Sequence, residues 1–160
     1  ITKSDLIERD FDLLHQIQER AIIPEDLKSR LKHGLMVSFS FSTLNDQVGK
    51  IFEPGATKPS LRLATLQRCQ EEGFLTGVSM MPMLPFISDT KEHLEVLFSN
   101  FKAAGAHYIM PATITLFGNG RADSKTLVMN AIEKHCHIFF HCRVLTRNGL
   151  FKCKNWNTKK

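Results

Sequence analysis

Between Val37 and Ser42 the chain alternates without exception, Val37, Phe39 and Phe41 being set between Ser38, Ser40 and Ser42. Successive side chains of a strand point to opposite faces. The pattern therefore predicts a strand over Leu35 to Ser42 with one apolar face and one row of small hydroxyls. Elsewhere the period is helical. Ile7, Phe11 and Leu14 form one stripe, Ser4 is a good N-cap, and Asp5 and Glu8 load the first turn of a helix running to about Arg20. Pro24 at a start and Gly34 at a stop predict a second, short helix over PEDLKSRLKH. Thr43 or Asn45 caps a brief helix through Ile51, and Ser60 opens another that ends at Gly73.

Phe74 to Met80 reads as a buried strand, and MPMLPFISD, with its two prolines, as the loop after it. Thr90 caps a helix whose Leu94, Leu97, Phe98 and Phe101 share a face, with Gly105 as its stop. His107 to Met110 is a short strand, Ser124 to Lys134 a helix, and HIFFHCRVL a last strand. Strands alternating with helices of about a dozen residues predict right-handed βαβ units and a parallel sheet. A complete eight-fold barrel needs about 200 residues or more. The expected fold class is thus α/β, either a small open sheet or parallel β/α units forming part of an incomplete TIM-like barrel.

In a curved parallel sheet, helices cover the outer face. Val37, Phe39 and Phe41 suit that side. Ser38, Ser40 and Ser42 would then line the concave side, where small polar residues leave room for a ligand. Ser42 and Thr43 close the strand at its C-terminal end, where α/β sites are built. An equally plain account is a strand whose serines bond to neighbouring backbone.

The 160 residues are 42% hydrophobic, enough for one domain with a real core. No apolar run is long enough to span a bilayer and no secretory signal peptide is evident, so no membrane partner is expected. The net charge of +5 permits contact with nucleic acid without arguing for it, because acidic residues are mixed in throughout. The clearest basic cluster is the tail, Lys152, Lys154, Lys159 and Lys160. Cys69, Cys136, Cys142 and Cys153 lack disulfide-scaffold density, which makes a reducing cytoplasm the default location. The opening ITKSDLIERDFDLL begins as though partway through an element, and the expectation is a fragment.

Chemistry-bearing motifs are sparse. There is no GxSxG, P-loop or GxGxxG to support an ordinary metal-independent β/α enzyme. In HCHIFFHC, the residues His135, Cys136, His137, His141 and Cys142 are metal-ligand types. They lack an HExxH glutamate or a CxxC pair, and a buried strand with edge histidines is the favoured account. A non-enzymatic binding domain is the alternative class. It would hold nucleic acid through the basic tail, or a protein partner, and in the first case would bind oligonucleotides in a strongly salt-dependent way.

The order TKS, VSFSFSTLNDQVGKIFEPG, a helix containing Arg62, GVSMMPMLPFISD and an AGA-ended helix resembles the radical S-adenosylmethionine superfamily. More narrowly, it is similar to the spore photoproduct lyase and DNA repair photolyase-like branch. The resemblance covers Ile1 to about Met110. It implies that Lys3 meets the carboxylate of bound S-adenosyl-L-methionine, that Ser42 helps hold the same cofactor, and that Ser40 lies on the same face one layer deeper. Glu53 and Arg62 match positions of the same types and are read as an ion pair fixing the loop at the barrel mouth. Pro82, Pro85 and Asp89 match the proline loop, with Phe86 where the family carries glycine.

What the family needs and this sequence lacks is the CxxxCxxC motif that holds a [4Fe–4S] cluster. The resemblance begins at a third strand, so the cluster ligands are expected upstream, in a parent protein of which this is the C-terminal portion. The parent would be a lyase-like radical enzyme. It would cleave the cofactor reductively and abstract hydrogen from a substrate, with DNA lesions as one candidate and a reductant protein as partner. This chain alone would be inactive, and an exposed first-strand edge would favour self-association. Residues 1–134 would be barrel and 135–160 a final strand with the basic tail.

Overall fold

In the computed structural model of the chain, residues 1–85 and 87–135 are described with their side chains, and 143–146 and 149–152 as backbone. Strands β1 (Met36–Ser40), β2 (Leu75–Met83) and β3 (Tyr108–Thr113) lie side by side in that order, all parallel. A short 3-10 segment, Asp5–Asp10, capped by Ser4, runs into α1 (Phe11–Arg20). Between β1 and β2 come α2 (Asp46–Phe52) and α3 (Pro59–Glu71), and between β2 and β3 comes α4 (Lys91–Ala103). Helix α5 (Ser124–His135) follows β3. Strands β4 (Arg143–Thr146) and β5 (Gly149–Lys152) pair antiparallel as a separate sheet. The protein is therefore α/β with a parallel sheet.

Phe39 pairs with Val78, and Val78 with Ile109, which puts the apolar residues of neighbouring strands on one face. That face carries the main core. Val37, Phe39, Phe41, Val78 and Met80 pack with Leu66 and Cys69 of α3 and with Leu97 and Phe101 of α4. The Phe41 and Phe101 rings meet with centroids 4.9 Å apart. Ile7, Phe11 and Leu14, the stripe legible in the sequence, cover the same core from the side. Burying each such side chain stabilises the fold by roughly 1.5–3 kcal/mol, so this face carries most of the hydrophobic drive. A second cluster at the C-terminal end of the sheet joins Val48 of α2, Leu84, Ile87 and Ile132 of α5. It holds α5 against α2.

The opposite face holds Ser38, Ser40, Gly77, Ser79 and Tyr108, as the register requires. Tyr108 reaches across Gly77 to hydrogen-bond Ser38 Oγ. A Cβ at Gly77 would lie 2.0 Å from the Tyr108 ring, so only glycine lets the ring cross β2 there.

Several expected boundaries move. The second helix over Pro24 to His33 is absent, replaced by turns held by bonds such as Leu27 N–H to Pro24 O and Leu31 N–H to Leu27 O. All of residues 24–32 are exposed, and so short a helix without a buried face does not hold. Strand β1 ends at Ser40, whereas β2 continues through Pro82 to Met83, beyond the expected loop start. Pro82 is tolerated because the β2–β3 register shifts between Met80 and Met83. Of HIFFHCRVL, residues 137–142 lie outside the described residues, and Arg143–Thr146 belongs to the antiparallel pair. Phe86 lies outside them too.

Candidate functional site

The N-terminus enters the sheet beside β1. Thr2 forms a parallel bridge with Phe39: its N–H donates to Ser38 O at 2.9 Å, and Ser40 N–H donates to Thr2 O at 2.9 Å. Lys3 is thereby delivered to the C-terminal end of β1. On the other side of that end, Asn45 Oδ1 accepts from Gln47 N–H and Val48 N–H, which caps α2. Helix α2 runs seven residues and stops at Glu53. Asp46 accepts from the Ser60 N–H and hydroxyl, tying the start of α2 to the start of α3. Those bonds hold the Asp46 carboxyl below the usual carboxylate range. Arg62 stands two residues further along α3.

These elements converge on Glu53. Its Oε1 accepts from Lys3 Nζ at 2.7 Å and from Ser42 Oγ at 2.6 Å. Its Oε2 accepts from Arg62 Nη2, and Arg62 Nη1 donates to Ser40 O. The guanidinium also lies over the Phe41 ring, 5.0 Å from its centroid. Arg62 is fully buried and the Glu53 side chain is 4% exposed, whereas the Lys3 side chain is 39% exposed. Burial pushes the Glu53 carboxyl upward. Hydrogen bonds from Lys3 and Ser42, with the charge and hydrogen bond of Arg62, outweigh it and hold the group below the usual carboxylate range.

Four of the residues singled out in the sequence, Lys3, Ser42, Glu53 and Arg62, thus form one cluster. Ser40 joins through its backbone carbonyl, while its hydroxyl donates to Met81 O at 3.2 Å. Asp89 and Pro85 lie in the segment after β2, shaped by Leu84 N–H donating to Ser88 Oγ at 2.9 Å. His135 ends α5, and Cys136, His137, His141 and Cys142 lie outside the described residues. Sequence reasoning missed that Glu53 gathers Lys3 and Ser42 as well as Arg62. A contact across fifty residues leaves no periodic trace. It also missed Tyr108 over the serine row, although a glycine inside an apolar strand signals close approach.

The cluster can bind an anion. Lys3 donates one of its three N–H groups to Glu53 and is open to solvent, which leaves donors for a carboxylate. The Ser40 and Ser42 hydroxyls already donate hydrogen bonds to Met81 O and Glu53 Oε1, and could serve a ligand only as acceptors. An iron–sulfur cluster finds no holder among the described residues. No group of three or more His, Cys, Asp or Glu there could hold a metal ion, and burial pushes the Cys69 thiol up to about 12.

No family model matches the chain, and no solved structure matches it. It is similar to the uncharacterized protein ORF301 of Acidianus two-tailed virus, 28% identical over 111 residues that make up 68% of this chain and 32% of that protein. It is also similar to uncharacterized proteins of Mycobacterium bovis and Mycobacterium tuberculosis. Each is 26% identical over 118 residues, 74% of this chain and 30% of the relative. The chain spans about a third of the length of the curated relatives it matches. Among the described residues, no helix is long and apolar enough to cross a membrane.

Proposed function

We propose that these residues are the C-terminal portion of a radical S-adenosylmethionine enzyme, contributing strands of an incomplete TIM-like barrel that bind cofactor and substrate. The observation that carries the proposal is the partly exposed Lys3 side chain, its ammonium held on buried Glu53 at the C-terminal end of a parallel strand. Parallel β/α architectures build ligand sites at that end. Thr2, bridging to Phe39 outside β1, adds a further parallel segment on the side away from β2, as part of a larger curved sheet would.

In this account Lys3 binds the cofactor carboxylate, and Ser42, Glu53 and Arg62 keep Lys3 in place. When bound, the cofactor supplies the group that abstracts hydrogen from substrate. The chain's own residues supply binding, orientation and shielding. The [4Fe–4S] ligands belong to a longer polypeptide, which is lyase-like, with DNA lesions as candidate substrate and a reductant protein as partner. Only that longer polypeptide is active.

The test is anaerobic reconstitution of the longer polypeptide with iron and sulfide, followed by metal analysis and electron paramagnetic resonance. A [4Fe–4S] signal that changes when S-adenosyl-L-methionine is added is the expected result. A polypeptide that takes up no cluster, or whose signal ignores the cofactor, overturns the proposal.

A further inference from the structure

We infer that Glu53 is the positioning residue for Lys3, holding the ammonium so that its remaining N–H groups meet the carboxylate of a bound methionyl ligand. The inference rests on the cofactor site proposed above and adds a role for Glu53 beyond fixing its own loop.

The geometry leaves Glu53 no freedom. Ser42 Oγ donates to the same oxygen that Lys3 contacts, and Arg62 holds the other. A carboxylate fixed at both oxygens is a rigid anchor, and Lys3 hangs from it at 2.7 Å. The cluster contains two cations and one anion. Arg62 is fully buried with both Nη atoms engaged, so the surplus positive charge is expressed at Lys3, the member open to solvent. A free lysine loses rotamer freedom when it closes on a ligand. One already tethered has lost that freedom beforehand, which favours binding.

Positioning and simple charge balance predict opposite signs. If Glu53 only neutralised charge, removing its negative charge would tighten anion binding. If it positions Lys3, the same change weakens binding although the site becomes more positive.

Calorimetry on the longer polypeptide separates the two, using S-adenosyl-L-homocysteine and its analogue lacking the carboxylate as probes. The ratio of their dissociation constants isolates the carboxylate. We expect a ratio of about tenfold or more in the wild type, as for a charge-assisted hydrogen bond. Lys3→Met should abolish it, and Glu53→Gln should reduce it severalfold with Lys3 intact. A wild-type ratio near one overturns the cofactor site, and this inference with it. A clear wild-type ratio lost in Lys3→Met but kept or raised in Glu53→Gln overturns the inference alone. Should Glu53→Gln fail to fold, a crystal structure of the wild-type complex decides. Lys3 Nζ touching both Glu53 and the ligand carboxylate upholds it; Lys3 turned away from Glu53 overturns it.

Discussion

Lys3 Nζ and Glu53 Oε1 lie 2.7 Å apart although fifty residues separate them in the chain. The contact joins the segment entering the sheet to the turn that leaves α2. Arg62 holds the other oxygen from α3, so the Glu53 carboxylate ties three elements together at one end of the sheet.

The two cations should contribute very differently to stability. Replacing Arg62 with Met strips buried Glu53 of its buried cation, and removing one partner of a buried pair costs about 3–5 kcal/mol. Lys3→Met removes a partly exposed partner, worth about 1 kcal/mol or less. Urea unfolding of both variants should give midpoints separated in that order.

Glu53 also makes stability depend on pH. Its folded carboxyl sits below the ordinary value of 4.5, so the unfolded chain binds the proton more readily. The contribution is fully present above the unfolded value and is lost as pH falls through the folded one. Denaturant midpoints measured from pH 6 to pH 3 should fall for the wild type. The gap between wild type and Glu53→Gln should narrow over the same range; a constant gap would contradict this origin.

At Gly77 an added methyl would meet the Tyr108 ring at 2.0 Å. Gly77→Ala should destabilise by about 1–3 kcal/mol, as overpacking does. Trimming the ring in Tyr108→Ala should make the glycine change much cheaper, a coupling that a double-mutant cycle measures directly.

Much of this was legible in the sequence because it rests on local periodicity. The alternation from Val37 to Phe41 marked the core face, and the stripe Ile7, Phe11, Leu14 marked a covering segment. Thr90 caps the helix it was expected to start, and of the two candidates Thr43 and Asn45 it is Asn45 that caps α2. Pro24 and Gly34 misled, because boundary signals cannot supply the apolar face that a short helix needs. The row of serines was legible as a row, but not its partners. Ser38 bonds to Tyr108, Ser40 to Met81 and Ser42 to Glu53, and each contact depends on how distant segments come together.

Cys69 is buried with its thiol pushed up to about 12, so it should be a poor nucleophile while the fold holds. Alkylation with iodoacetamide at pH 8, read by peptide mass spectrometry, should leave Cys69 unmodified in native chain and label it in urea. Rapid native labelling would show that the α3 face opens readily.

The most direct test of the central claim is product formation by the longer polypeptide, cluster-loaded and supplied with reductant and S-adenosyl-L-methionine. The account predicts that 5′-deoxyadenosine and methionine accumulate, and that Lys3→Met lowers their rate by about tenfold or more through lost carboxylate binding. A cluster-loaded protein that leaves the cofactor intact, or a Lys3→Met variant as active as the wild type, would contradict it.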